Sequence, residues 1–138
     1  MTRVEKNAEA LRRKDVTMIP KFRAWCVNAK EMKKVVIIDM TSDVITCEIE
    51  VNSECTYGPL FITGEYPDVV LMQSTGLKDF NGVEIYEGDI VSTIHGLCEV
   101  KYIKDSYHIV KDNKISLLSQ QNVRVTGNIY ENPELMEV

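Results

Sequence analysis

The chain has 138 residues, 44% hydrophobic and 27% charged, with seven Gly, four Pro and a net charge of −5. That profile fits one soluble globular domain and excludes a disordered or fibrous chain. No apolar run approaches the roughly 18 residues that cross a bilayer as a helix, and the charged start, Met1 to Asp15, lacks the apolar stretch of a secretory signal; a cytoplasmic protein with no membrane contact is expected.

Charge is unevenly spread. Residues 1–34 carry ten Lys/Arg against four Asp/Glu, a net of +6, whereas residues 35–138 carry −11. Such a body repels nucleic acid and attracts the basic end of another copy, although solvated surface charge with no partner is the simpler reading, since lone surface charges interact weakly.

In chain order, Glu5–Lys14 predicts a short helix, with Glu9 four residues before Arg13 in the favourable ion-pair orientation. A helix this short is marginal alone and needs a surface to dock on. Pro20 ends the helical texture. Residues 1–17 are therefore read as a helical arm and residues 18–138 as a β domain. Phe22, Ala24 and Cys26 alternate with Arg23, Trp25 and Val27 as in a strand with two differently used faces. Lys30 and Lys33 flank a turn into the β-branched run Val35–Ile38. In Val44–Val51, Cys47, Ile49 and Val51 are expected inward and Glu48 and Glu50 outward.

Asn52–Pro67, with Gly58, Pro59, Gly64 and Pro67, reads as the longest loop, interrupted by the apolar Leu60–Ile62. Asp68–Thr75 reads as the next strand. Asn81-Gly82 is a two-residue hairpin signal because both residues tolerate positive φ. Glu87-Gly88 turns the chain into Asp89–Val91, and Gly96 leads into Leu97–Ile103. Tyr107–Lys111 and Ile115–Leu118 are joined by Asp112-Asn113, and Val123–Tyr130 is the last strand. Asn132 is expected to cap a helical turn that Pro133 begins. This spacing of short strands implies a mostly β fold, a strongly bent antiparallel sheet or partly open small barrel, with a short N-terminal helix and a C-terminal helical turn.

Three pieces, MIPKFRAW (Met18–Trp25), LMQSTGLKDFNGVEIYEGDIV (Leu71–Val91) and VTGNIYENPEL (Val125–Leu135), resemble the YopX family of phage and prophage proteins. The resemblance implies a mainly β fold and self-assembly, and it carries no activity with it. The family varies between Val36 and Asp68, so strand order there is left open. Within the motifs, Gly76, Asn81, Gly82, Gly88, Asp89, Gly127, Asn128, Asn132 and Pro133 have backbone explanations and read as fold-determining positions rather than catalytic ones; Ile85, Ile90 and Val91 read as core.

No catalytic, cofactor or metal site is expected. Nucleophilic catalysis needs a nucleophile beside an oriented base, and the two histidines, His95 and His108, belong to no such motif. Zinc needs four converging ligands; Cys26, Cys47, Cys55 and Cys98 form no C-x-x-C pair and read as reduced thiols, mostly buried. Glu84, Glu87 and Asp89 lack calcium-loop spacing and read as a solvated turn. No phosphate-cradling glycine run is present. Two binding roles remain, with an enzyme of unfamiliar site as a weaker third reading. One is protein contact, first with other copies of the chain in a homo-oligomer and also with a host or phage protein. The other is nucleic-acid binding through Arg12, Arg13, Lys14, Lys21, Arg23 and Trp25, with Tyr86, Tyr102, Tyr107 and Tyr130 available for base stacking; the acidic body disfavours it.

Overall fold

In the computed structural model the described residues are Val4 and residues 21–41, 44–52, 55–63 and 66–137. Apart from Val4, the helical arm, and Arg12, Arg13 and Lys14 with it, lies outside them. The expected mostly β, antiparallel architecture is what forms, as two sheets. The first holds β1 (Phe22–Cys26), β2 (Glu31–Asp39), β3 (Thr46–Asn52), β4 (Cys55–Phe61), β5 (Val69–Lys78) and β6 (Glu84–Tyr86) in the order β4-β3-β2-β1-β5-β6. The second holds β7 (Asp89–Thr93), β8 (Gly96–Ile103), β9 (Ser106–Lys111), β10 (Lys114–Leu117) and β11 (Arg124–Asn128) in the order β10-β9-β8-β7-β11. Among the described residues neither sheet closes, so each keeps two terminal strands.

Bulges bend the first sheet between Val35 and Ile37, between Cys47 and Ile49, and between Glu50 and Asn52. The Asp68 N–H donates to Phe61 O, the Phe61 N–H to Asp68 Oδ2, and the Val27 N–H to Asp68 O, drawing the end of β4 back to the start of β5. Ala24, Cys26, Cys47, Ile49 and Val69 form the core of this curl. In the second sheet Val91, Cys98, Val100 and Ile109 pack with Ile85, Leu118 and Val123, each fully buried aliphatic side chain stabilising by about 1.5–3 kcal/mol relative to exposure. Ile85, Ile90 and Val91 are core as expected, at 1%, 0% and 0% exposure.

Several local expectations need correction. The chain from Asn52 to Pro67 is not mainly loop, because Cys55–Phe61 forms β4. Gly58 and Pro59 hid this strand. Pro lacks the N–H a central strand would use, but β4 lies at the sheet edge, where proline is tolerated. Val51 does not follow Cys47 and Ile49 inward: it is 48% exposed, next to the bulge at Glu50 and Asn52 that breaks the alternation. Leu118 leaves the strand and starts a short 3-10 turn (Leu118–Gln120), buried under the second sheet. Asn132 stands at the start of the 3-10 turn Pro133–Met136 without capping it. Its Oδ1 accepts the Asn128 N–H at 3.2 Å instead, while Asn128 Oδ1 accepts the Tyr130 and Glu131 N–H groups.

The β5–β6 connection is also organised differently from a two-residue Asn-Gly turn. Gly82 takes the left-handed φ of +83°, whereas Asn81 does not, and the loop closes on Asp79. Asp79 Oδ1 accepts the Asn81 and Val83 N–H groups, each at 2.9 Å, and Oδ2 accepts the Val125 N–H of β11 at 2.9 Å. One carboxylate thus ties a loop of the first sheet to an edge of the second. The Val125 N–H and those of Val83 and Asn81 hold the Asp79 carboxyl below the usual carboxylate range, against the opposing effect of burial. A carboxyl lowered by folding contributes stability that is present above its unfolded pKa of about 3.9 and is lost as pH falls through the folded value. Urea denaturation between about pH 5 and pH 3 should therefore show a steeper loss of stability in the wild type than in Asp79→Asn. Equal slopes would deny Asp79 this role.

Candidate interaction site

The sequence motifs meet at the joint between the sheets. Arg23 of β1 places Nη2 2.7 Å from Asp89 Oδ1 at the start of β7. Asp89 Oδ2 accepts the Tyr86 N–H at 2.8 Å. The Arg23 guanidinium lies over the Tyr86 ring, 4.7 Å from its centroid, a favourable cation–π geometry. The pair is withdrawn from water, with side-chain exposures of 16% for Arg23 and 2% for Asp89. Burial pushes the Asp89 carboxyl up, opposed by Arg23 and the Tyr86 N–H. Tyr86 is pushed up to about 12 by burial and by donating its hydroxyl to Glu84 Oε2 at 3.0 Å.

The third motif closes the same joint. The Gly88 N–H donates to Val100 O, and Gly88 O accepts the Ile129 N–H. Trp25 stacks on Tyr130 at 5.6 Å with 22° between the rings. Gly127 lies so close to the Asn132 carboxamide that a Cβ would meet Oδ1 at 2.5 Å. Gly76 lies where β5 shifts register against β6, with φ +77°. The cavity left at the joint is about 250 Å³, lined among others by Met72, Gly88, Glu99, Lys101 and Tyr130.

Of the interaction residues named from sequence and described, Arg23 is committed to Asp89 and Trp25 to Tyr130, while Lys21 stays on the surface 3.7 Å from Glu84. Tyr102 and Tyr107 pack edge to face against each other at 5.0 Å. The acidic turn is likewise divided: Asp89 is buried in the ion pair, and Glu84 accepts from Tyr86. His95 is exposed on the β7–β8 turn, and His108 Nδ1 lies 3.1 Å from Ser106 O. His95 lines a cavity at the mouth of the second sheet, whereas Glu87 lines the joint cavity. Among the described residues no group of three or more His, Cys, Asp or Glu is placed to hold a metal, and no helix is long and apolar enough to cross a membrane. Cys26, Cys47 and Cys98 are buried free thiols, and burial pushes Cys47 up to about 11.

Among the described residues, β10 presents an exposed terminal strand. All four residues of β10 are exposed. Ile115 and Leu117, 55% and 37% exposed, stand opposite Val110 and His108 on the outer face. The other terminal strands are blunted by devices that discourage edge pairing: β4 contains Pro59, β6 has three residues, and the Val125 N–H of β11 is taken by Asp79. The sequence marks Ile115 and Leu117 as strand residues, but nothing local says that their strand ends a sheet.

Comparison with known proteins places this geometry. Residues 21–137 match the family model described as YopX protein. No curated protein matches. Among solved structures the chain is similar to the crystal structure of protein EF1440 from Enterococcus faecalis, with TM-score 0.62 and 34% identity over 88% of this chain and 100% of that one. It also shares the fold of protein yopX from Bacillus subtilis, with TM-score 0.58 and 20% identity over 86% of this chain and 96% of that one. On the match across residues 21–137 and the 34% identity to EF1440, this chain belongs to the YopX family.

Proposed function

We propose that the chain is a non-enzymatic protein-interaction module of phage or prophage origin that self-associates through β10, in the cytoplasm of a bacterial host. The observation that carries this reading is the exposed terminal strand β10, with Ile115 and Leu117 open to solvent. Two copies pairing β10 antiparallel would join their five-stranded sheets and cover both edges with one isologous contact. Buried free thiols at Cys26, Cys47 and Cys98 suit a reducing compartment. The reading assigns the family motifs to the joint and leaves them no reaction to perform.

Light scattering at micromolar concentration should give a dimer or larger species for the full chain. The double variant Ile115→Lys, Leu117→Lys should be monomeric with an unchanged far-ultraviolet circular dichroism spectrum, because facing ammonium groups oppose edge pairing. A monomeric wild type contradicts the proposal, and a variant that associates as well as the wild type moves the contact elsewhere. Removal of residues 1–17 separates the edge from the arm: if the basic arm docks on the acidic body of another copy, association weakens without it. A partner protein from host or phage is the competing occupant of the edge, favoured if the wild type stays monomeric alone. The nucleic-acid alternative has lost Arg23 and Trp25 to the joint, and it predicts DNA retention at low salt that falls steeply as salt rises.

A further inference from the structure

The mouth of the second sheet brings two lysines into register. Lys111 of β9 and Lys114 of β10 are direct cross-strand partners. Partners in register point to one face, and like charges there destabilise a sheet. Both lysines line a cavity of about 410 Å³, whose floor includes Cys98 and Ile109, both buried. Thr93, His95, Ser116 and Gln121 add polar groups to its walls, and Asp112, in the turn between the strands, offsets part of the positive charge.

Lys111 is also held in place. Its Nζ donates to His95 O at 2.8 Å across the β7–β8 turn. Gly96 leaves the slot through which it reaches, since a Cβ there would meet Nζ at 2.5 Å. An ammonium has three donors, so two remain after the carbonyl is satisfied. Residues 35–138 carry only six basic residues within a net charge of −11; two of the six are register partners here. That arrangement lowers its energy when an anion lies between them.

We propose that this cavity is a binding site for a small organic phosphate, with the phosphate between Lys111 and Lys114 and an apolar or planar body on Cys98 and Ile109. Thr93, Ser116 and Gln121 complete the set of donors available to the phosphate oxygens. Ile115 and Leu117, on the opposite face of β10, line no part of the cavity, so the Ile115→Lys, Leu117→Lys variant leaves the side chains of the site in place.

The test is a titration of the full chain, followed by backbone amide chemical shifts, with inorganic phosphate and, separately, adenosine 5′-monophosphate. Saturable shifts confined to residues 93–98 and 109–121 are expected, with the nucleotide at least tenfold tighter, on the order of what burying a few apolar groups adds. Lys111→Met with Lys114→Gln should abolish both responses, whereas Lys114→Arg should retain them. The same double variant should lose any rise in Tm that phosphate gives the wild type, while remaining folded in the spectrum. No saturable shift with either probe at millimolar concentration, or shifts that persist in the double variant, overturns the site. Equal affinity for the two probes overturns the role given to the apolar floor.

Discussion

Asp89→Ala is expected to destabilise the protein by about 3–5 kcal/mol, the usual result of removing one partner from a buried ion pair. The residue carries two partners at once, the Arg23 guanidinium at 2.7 Å and the Tyr86 N–H at 2.8 Å. Alanine leaves a cation of 16% exposure without its counter-charge and a backbone donor without an acceptor. Three elements lose their tie in the same step: β1 through Arg23, the end of β6 through Tyr86, and β7 through Asp89 itself. For a chain of this size the melting temperature should fall by on the order of 10 °C or more. Asp89→Asn keeps the shape and one acceptor, so it should cost less than alanine. Thermal unfolding of the wild type and both variants checks this, and a shift within about 0.5 kcal/mol, the range of an ordinary surface substitution, would show the pair to be incidental.

Gly88→Ala should be the second most damaging change. Gly88 has φ +87°, where an L side chain costs about 1–2 kcal/mol. It also has no room: an added Cβ would meet Met72 Sδ at 3.1 Å, and Met72 is 2% exposed. Overpacking of this kind adds about 1–3 kcal/mol, toward the lower end because a methionine side chain can move. Gly82→Ala supplies the control, since Gly82 has φ +83° with nothing within 4 Å of the added Cβ. Chemical denaturation should show Gly88→Ala clearly worse than Gly82→Ala. Equal losses would mean that backbone conformation alone matters and that the approach of Met72 does not.

These residues explain why the family signature is readable in the sequence while the proposed contact edge is not. Arg23, Asp89, Gly88 and Tyr130 lie in three separate motifs, and the structure brings them to one joint. Local features mark such residues in sequence: glycine at turns, an acid after a glycine, asparagine where the backbone needs side-chain acceptors. Cys47 and Ile49 were likewise legible by alternation. Val51 was not, because a bulge is a property of a strand pair rather than of one strand. β4 was missed because Gly58 and Pro59 signal a break, and only its place at an edge permits them. Asp79 gave no signal as the organiser of its loop, since one of its partners, Val125, lies 46 residues away. The exposure of Ile115 and Leu117 and the meeting of Lys111 with Lys114 depend on strand order and register, which the alternation of side chains along one strand does not encode.

Self-association through β10 can be read at the strand itself, by amide hydrogen exchange measured across a dilution series. If two copies pair at this edge, protection of the Lys114–Leu117 amides rises with protein concentration, while amides in β7 and β8 keep their protection throughout. Protection of β10 that stays constant from the most dilute to the most concentrated sample would contradict the account.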